Sequence, residues 1–378
     1  MNRYFLIPFI FLTALCATLG AQEISNIKTA GAIVSPEISA DGVTLRFAGE
    51  YATEVYVDGD WLDAPVLMDK HEGVWSVTFT GLMSDCYSYK FIVDGVEALD
   101  PANSAVQRDG SKYMNFFVTA GARGGNFSQG SHRGTVSFVW YDSAILGTNR
   151  RMAVYTPYGY ETSPNKQYPV LYLLHEEGQD EESWLNMARV AQVMDNLIQQ
   201  GRAVPMIVVM PNCNPDEQAT CTLGLPETSN TRTASSMVFV SSLIHEIIPF
   251  VETNYRAVSK KNRRCIAGMG RGGEQILNAI ILYPDYFDYV CPFSCGVEDN
   301  GRLHEDFFRV KKAGVKLFWT GCGTSDTGNY ASSQVLHEAL NYIHLDHTYY
   351  GNKGGHNWRT WRQYLNNFAP LIFKYYKD

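Results

Sequence analysis

Asp326 and His356 are the residues of this chain whose types and positions best suit acid–base chemistry. Asp326 follows an apolar run at 315–319 and a glycine-rich turn, and His356 follows two glycines shortly after the run at 348–350. If both runs are parallel strands, both side chains reach the carboxyl edge of one sheet, where α/β proteins place their sites. A carboxylate there holds the imidazole in the tautomer that presents its other nitrogen to a nucleophile. The pair therefore predicts the acid and the base of an acyl-transfer site.

The nucleophile of such a site sits on a tight turn between a strand and a helix. An apolar run at 264–267 is followed by closely spaced glycines at 268–273 and then by a helical pattern at 274–281. This is the frame of a G-x-S-x-G elbow. Its central position, which should be serine, is Gly270. The sequence therefore predicts the frame of a serine hydrolase without its attacking oxygen.

Two other serines lie near the predicted site. Ser294 follows the next apolar run, and Ser325 directly precedes Asp326. Neither stands on the elbow, so we expect both to make loop hydrogen bonds. A water activated by His356 is a further alternative, but it lacks the covalent route that a nucleophile provides.

The elements that must position these residues alternate between strands and helices. The patterns predict strands at 151–155, 168–174, 203–210, 264–267, 315–319 and 348–350, and helices at 182–200, 235–255 and 361–375. Apolar strands that alternate with helices indicate a mostly parallel sheet covered on both faces. The predicted fold class is therefore α/β, with residues 135–378 in an α/β-hydrolase fold.

The preceding region has a different pattern. Short alternating strands between turn signals predict a small all-β, immunoglobulin-like sandwich over residues 26–120, and the polar, glycine-rich stretch 121–134 predicts a linker. Trp61 and Trp75 are candidate sugar-stacking platforms in this sandwich. We favour core positions for both, because a tryptophan in a small sandwich is more often buried.

Composition and charge limit the partners. The chain has 378 residues and a formal net charge of −8, so no basic face is expected to neutralise the phosphates of a nucleic acid. We expect no nucleic-acid partner and no cofactor, and no Cys/His spacing predicts a metal. The negative net charge remains compatible with neutral sugars as partners.

Residues 1–21 have the pattern of a secretory signal peptide: a basic start, an apolar run and small residues. We expect export to the periplasm or the outside of the cell, with no membrane span. In an oxidising compartment Cys213 and Cys221, which flank a loop, could form a disulfide, whereas Cys265 and Cys291 lie in apolar runs and are expected to be buried thiols.

Residues 134–378 resemble the feruloyl and acetyl-xylan esterases of carbohydrate esterase family one, and also the esterase D type. In the sandwich, the segments 59–61, 73–75 and 89–95 follow one another in an order that resembles the early-set modules of isoamylases and glycogen-binding proteins. The segments that carry the esterase resemblance are 154–160, 168–175, 206–212, 246–252, the elbow and 354–358. The resemblance implies an acid at Asp326, a base at His356 and a nucleophilic serine at the position of Gly270.

The chain departs from the family in two further places. The family has glycines after the histidine of the oxyanion loop, where this chain has Glu176 and Glu177, and it commonly has methionine where this chain has Arg271. Two carboxylates beside a developing oxyanion oppose hydrolysis, and Arg271 is expected to fill the pocket or pair with one of them. Such coordinated changes favour a natural loss of the nucleophile over an engineered serine-to-glycine replacement.

Three functions follow from these observations. The first is a secreted, non-hydrolytic homologue that binds plant cell-wall polysaccharide or its hydroxycinnamoyl esters. The second is an active carbohydrate ester hydrolase with an altered mechanism, or one whose serine was replaced by design. The third is an interaction protein with a vestigial cleft. The residues expected to line the cleft are Tyr141, Trp184, Asn212 and Trp358, although Trp184 and Trp358 could instead lie beneath the loops.

Overall fold

The structure is a computed structural model that describes residues 33–225 and 236–374; the predicted signal peptide, at 1–21, lies outside these residues. Ten short strands come first. They are β1 (Glu37–Ile38), β2 (Val43–Ala48), β3 (Val55–Gly59), β4 (Val66–Leu67), β5 (Asp69–His71), β6 (Val74–Phe79), β7 (Cys86–Val93), β8 (Val96–Ala98), β9 (Val106–Asp109) and β10 (Lys112–Val118). They form two antiparallel sheets in the orders β1-β2-β6-β5 and β4-β3-β7-β10-β9, with β8 beside β7.

The two tryptophans of this sandwich belong to its core. Trp75 is buried and donates its indole N–H to the Gly49 carbonyl at 3.0 Å. Trp61 is partly buried and packs edge-on against the rings of Phe79, Tyr87 and Phe117. Both rings thus contribute to the core of the sandwich, and Trp61 also lines an open cleft described below.

The remainder of the described chain is an α/β unit. Its strands are β11 (Thr135–Ser143), β12 (Thr148–Thr156), β13 (Val170–Leu174), β14 (Ile207–Pro211), β15 (Arg264–Met269), β16 (Tyr289–Phe293), β17 (Leu317–Gly323) and β18 (Thr348–Asn352). They form one eight-stranded sheet in the order β11-β12-β14-β13-β15-β16-β17-β18, parallel from β14 to β18. The predicted mostly parallel sheet is confirmed.

Helices cover both faces of this sheet. They are α1 (Ser183–Asn186), α2 (Val190–Gln199), α3 (Ser236–Ser242), α4 (Ile248–Asn254), α5 (Gly270–Leu282), α6 (Leu303–Ala313), α7 (Tyr330–Tyr342) and α8 (Trp358–Phe368). Buried residues of α3 to α7 form one core with the sheet, and those of α2 and α8 form another on its opposite face. No helix in the described residues is long and apolar enough to cross a membrane.

The helix predicted at 361–375 is α8, which begins earlier, at Trp358, and ends at Phe368, and the two other predicted helices are interrupted. The helix predicted at 182–200 is broken between α1 and α2, because Arg189 has a left-handed backbone with φ +52°. The helix predicted at 235–255 continues through a π turn at Leu243–Ile247 between α3 and α4. The long apolar periodicity of both segments concealed these local interruptions.

The predicted linker at 121–134 is packed rather than extended. It contains a 3₁₀ turn at Gly124–Phe127, and Phe127 is fully buried in the core beside α2. Asn126 donates its side-chain amide to Asn366 of α8 at 2.8 Å. Its polar, glycine-rich composition indicated only a linker, whereas the buried ring of Phe127 and the buried amide of Asn126 fix this segment.

The sandwich and the α/β unit share a buried interface. Arg362 of α8 is fully buried, and it donates to the Met187 carbonyl at 3.0 Å and to the Asp60 carboxylate of the sandwich at 2.6 Å. Arg108 of β9 donates to Asp180 of the α/β unit at 2.6 Å, and both side chains are buried. Buried ion pairs of this kind are costly to break, because the remaining charge loses its partner.

The proposed disulfide is absent. Cys213 and Cys221 are both free. Cys213 is buried and its thiol donates to the Pro211 carbonyl at 3.5 Å, whereas Cys221 is exposed and its thiol lies 3.7 Å from the Gly110 carbonyl. The two cysteines flank a loop, as the sequence indicated, but their side chains pack in different environments. Cys265 and Cys291 are buried thiols, as predicted.

We expect Arg362→Leu to lower the free energy of unfolding by about 3 kcal/mol, because it leaves the Asp60 carboxylate and the Met187 carbonyl without their donor. Urea unfolding measures this change. The matched control is Arg302→Leu, which removes a largely exposed arginine and should cost less than about 0.5 kcal/mol. Equal effects of the two substitutions would contradict the role of Arg362.

Candidate active site

The elbow forms where the sequence predicts it. Strand β15 ends at Met269 and helix α5 begins at Gly270, whose φ of +50° lies in the left-handed region. A side chain is strained in this conformation, and glycine avoids the strain. A second glycine, Gly272, allows the backbone to approach the oxyanion loop, since a Cβ there would come within 2.5 Å of the His175 carbonyl oxygen.

The space above Gly270 is filled by Glu176. A Cβ built on Gly270 would lie 1.1 Å from Oε2 of Glu176. The Glu176 Oε1 atom accepts from the backbone N–H of Glu177 at 2.7 Å and from that of Arg271 at 3.1 Å. The Arg271 N–H also reaches Oε2 at 3.1 Å. We call the space bounded by these two N–H groups and the ring of His356 the elbow site.

The acid and the base lie together beside this carboxylate. Asp326 follows β17 and is buried, and its Oδ2 atom lies 2.9 Å from Nδ1 of His356, which follows β18. The opposite ring nitrogen, Nε2, lies 3.3 Å from Oε2 of Glu176. Asn329 donates its side-chain amide to Asp326 at 3.1 Å and helps to orient it. The imidazole is therefore held between two carboxylates.

This arrangement determines the protonation states. Burial alone would lower the pKa of His356, but the hydrogen bonds and charges of Asp326 and Glu176 outweigh it and raise the pKa to about 9. Burial alone would raise the pKa of Glu176, but His356 and the amides of Glu177 and Arg271 lower it. The pKa of Asp326 is also lowered, since His356 outweighs the effect of burial. At neutral pH the site holds an imidazolium between two carboxylates.

The loop that carries Glu176 is anchored from below by His175. This buried side chain accepts from the Cys213 backbone N–H at 2.7 Å through Nε2, and its Nδ1 atom lies 2.8 Å from the Glu176 carbonyl. Since Nε2 accepts, the proton resides on Nδ1, which donates to that carbonyl. Burial lowers the pKa of His175, so the ring is neutral. The Gln179 side chain also accepts from the Glu176 N–H, at 3.2 Å.

The sandwich supports the same loop from the side. The turn between β9 and β10 touches it closely, since a Cβ on Gly110 would come within 2.4 Å of the Gly178 carbonyl oxygen. The Arg108–Asp180 ion pair lies next to this contact. The position of Glu176 therefore depends on residues of both domains.

Arg271 contributes its backbone to the site and its side chain to the rim. Its guanidinium pairs with the Glu177 carboxylate at 2.6 Å, and both side chains are substantially exposed, so the pair contributes little to stability. Burial raises the pKa of Glu274, on the next turn of α5, and the nearby Glu176 carboxylate raises it further.

The alternative serines do not face the elbow site as nucleophiles. Ser294 is fully buried, and its hydroxyl accepts from the indole N–H of Trp361 at 3.0 Å. Ser325 donates its backbone N–H to the Gly354 carbonyl at 3.1 Å and lines a cleft described below.

The four residues expected to line a substrate cleft are all buried, so that expectation was wrong: Tyr141, Trp184, Asn212 and Trp358 are 4%, 1%, 0% and 5% exposed. Trp184 donates its indole N–H to the Leu174 carbonyl at 3.0 Å and packs edge-on against Trp358. Asn212 donates to Glu181 at 3.2 Å. These side chains pack beneath the loops instead of lining a cleft. For Trp184 and Trp358, this is the position that the sequence left open as the alternative.

An open cleft of about 600 Å³ lies instead between the two domains. It borders the Gly354–Gly355 turn that precedes His356, and its wall is rich in polar and charged side chains, including Asp63, Arg123, Lys353, Asn357, Arg359 and Gln363. No group of three or more metal-ligating side chains occurs among the residues that the structure describes.

Comparison with known proteins agrees with this geometry. The family model named Esterase matches residues 143–371. The chain belongs to this esterase family. The bifunctional endo-1,4-β-xylanase/feruloyl esterase of Xylanibacter ruminicola is 28% identical over 317 residues, which are 82% of this chain and 41% of that protein. Endo-1,4-β-xylanase Y of Acetivibrio thermocellus is 25% identical over 260 residues, or 61% of this chain and 22% of that protein. The chain therefore spans less than half the length of these relatives.

Solved structures confirm the α/β-hydrolase fold. A family one ferulic acid esterase from Anaeromyces mucronatus, in complex with ferulic acid, aligns with a TM-score of 0.54 at 23% identity, covering 65% of this chain and 93% of that one. The enterobactin esterase of Shigella flexneri aligns with a TM-score of 0.65 at 18% identity, covering 89% and 95%. The second alignment extends beyond the α/β unit of this chain, because it covers 89% of all residues.

Three residues that shape the site escaped sequence reasoning. Arg108 lies in a different predicted domain, and nothing in the sequence links it to the loop at 176–182. In the sequence His175 is only the last residue of a segment that resembles the family, and Asn329 carries no motif. The signal that could have indicated Asn329 is its spacing of three residues from Asp326, which allows a turn to close on the carboxylate.

We expect Glu176→Gln to lower the pKa of His356 from about 9 toward its ordinary value, because one of the two flanking carboxylates is lost. An NMR titration of the ring proton, assigned with His356→Gln, measures this. The free energy of unfolding should change with it. The contribution of charged His356 to that free energy is fully present below about pH 6.5 and is lost as the pH rises through about 9. The difference in free energy of unfolding between the wild type and Glu176→Gln should therefore shrink over that range.

The control for this titration is Glu177→Gln. It removes the neighbouring carboxylate, which pairs with Arg271 at the exposed rim, and it should leave the pKa of His356 unchanged. A His356 pKa that stays near 9 in Glu176→Gln would contradict the contact between the two side chains.

Proposed function

We propose that this esterase homologue does not hydrolyse esters and instead binds plant cell-wall polysaccharide. The observation that carries the proposal is the position of the Glu176 carboxylate, which occupies the elbow site above Gly270. Hydrolysis through an acyl-enzyme needs a nucleophile at that point and free N–H groups for the developing oxyanion. This site offers neither.

The electrostatics support the same conclusion. A general base must be unprotonated to accept a proton, and its pKa is best placed near the working pH. His356 has its pKa raised to about 9, so it is a poor base for activating water at neutral pH. A carboxylate in the oxyanion position would also repel the negative charge of a tetrahedral intermediate.

The same geometry opposes an engineered origin for Gly270. A serine at this position would place its Cβ 1.1 Å from the Glu176 carboxylate. The side chain of Glu176 would then have to leave its two amide donors. The absence of a side chain at Gly270 makes room for Glu176, and Glu176 in turn contacts His356. This mutual fit supports a natural replacement of several residues together, rather than of the serine alone.

The polysaccharide part of the proposal rests on the interdomain cleft and on the relatives. The cleft of about 600 Å³ is open and lined by hydrogen-bonding groups, as a glycan with many hydroxyl groups requires. The relative from Xylanibacter ruminicola is named a xylanase and feruloyl esterase. We propose a xylan-type glycan for this cleft, reached after export from the cytoplasm.

We expect Gly270→Ser alone to leave the protein inactive toward methyl ferulate, because the displaced Glu176 carboxylate remains beside the amide donors and repels the negative charge of the developing oxyanion. The double variant Gly270→Ser with Glu176→Gly should hydrolyse methyl ferulate at least roughly 100-fold faster than the single variant, since oxyanion donors contribute on this scale. Initial rates of ferulate release measure both.

Adding His356→Ala to the double variant is the control, and it should abolish the gain. Ester turnover by the wild type that a covalent acylating inhibitor blocks would overturn the proposal. Full activity of Gly270→Ser alone would contradict the blocking role of Glu176. If the double variant also releases no ferulate, Arg271 is a further obstacle to hydrolysis.

For the cleft, we expect Lys353→Ala to weaken binding of arabinoxylan roughly two- to tenfold, the range of one hydrogen bond. Affinity electrophoresis with the soluble polysaccharide measures it. Lys312→Ala, on the distant helix α6, is the matched control and should bind as the wild type does. Absence of binding by the wild type would reject the glycan, and the interaction-protein alternative would then be favoured.

A further inference from the structure

We infer that the elbow site is a binding site for carboxylates, in which Glu176 is the internal ligand and an external carboxylate can take its place. The inference rests on the proposed loss of hydrolysis. It names the chemical class that the site would accept, which is a carboxylate borne by an aromatic acid or by a sugar, rather than an ester.

The contacts of Glu176 define this preference. Its Oε1 atom accepts from the Glu177 N–H at 2.7 Å and from the Arg271 N–H at 3.1 Å, and its Oε2 atom faces Nε2 of His356 at 3.3 Å. The Arg271 N–H belongs to the first turn of the 13-residue helix α5, whose N-terminus favours an anion. Two amide donors and one imidazolium therefore converge on a single carboxylate.

An ester would fit these donors less well. Its carbonyl oxygen can accept from the amides, but it brings no negative charge to the imidazolium of His356. Asp326 fixes the orientation of that ring from the opposite side at 2.9 Å. Hydrogen bonds between charged groups are stronger than those to neutral acceptors, so the site discriminates in favour of the acid.

The loop geometry makes an exchange feasible. Glu176 is joined to the site only through its flexible side chain, and the glycine two residues later, Gly178, has a φ of +73°. The side chain of Glu176 is 17% exposed, so solvent reaches it. Because Glu176 is tethered, it competes at a high effective concentration, and the wild type should bind external carboxylates only weakly.

The test is isothermal titration at pH 6, where His356 is charged, of the wild type and Glu176→Ala with ferulate and with glucuronate. We expect Glu176→Ala to bind one of these acids at least about tenfold more tightly than the wild type. The methyl ester of the same acid should bind roughly tenfold more weakly than the acid. The acid that gains affinity identifies the source of the carboxylate, aromatic or sugar.

Glu161→Ala is the control, because it removes an exposed carboxylate outside the elbow site; it should bind as weakly as the wild type. Circular dichroism and the His356 ring signal verify that Glu176→Ala is folded. The inference is overturned if folded Glu176→Ala binds neither acid better than the wild type, or if it binds the esters equally well. These outcomes are separate from the proposed function, which is tested by arabinoxylan binding and ester turnover.

Discussion

The arrangement of this site depends on one contact, between the carboxylate of Glu176 and the backbone N–H groups of Glu177 and Arg271. These donors lie where an oxyanion forms in a working hydrolase. Once a carboxylate occupies them, the imidazole of His356 is flanked by two anions and remains protonated, and a side chain at position 270 has no room. The missing serine and the acidic loop therefore belong to one arrangement. Without a side chain at position 270 the Glu176 carboxylate has room, and with Glu176 in place a serine has none.

The loop that carries Glu176 is held from both domains. Buried His175 fixes its backbone from the α/β unit, and the turn of the sandwich at Gly110 presses against it from the other side. The Arg108–Asp180 ion pair closes this contact in a buried environment. The sandwich thus acts as a positioning element for the site, and the open cleft lined by Asp63, Lys353 and Arg359 lies along the same interface.

Periodicity and turn chemistry predicted the parallel sheet, the elbow and the positions of Asp326 and His356 at its edge, because these features are local or follow from strand order. Side-chain direction could not be predicted in this way. Trp184 and Trp358 are aromatic residues near the site in sequence, but they face the core. The acidic residues were identified as a hindrance, whereas the insertion of Glu176 into the oxyanion position depends on the loop's path, which His175 and Gly178 determine.

The burial of Phe127 has a consequence for how this molecule is divided. Its ring lies in the core beside α2, and Cys86 and Phe116 of the sandwich contribute to the same cluster. The composition of the sequence suggests a flexible joint near residue 125, yet apolar packing continues across it. Apolar packing therefore joins the two domains, and a fragment cut at this point would expose to water the apolar surface that Phe127, Cys86 and Phe116 now share with the α/β unit.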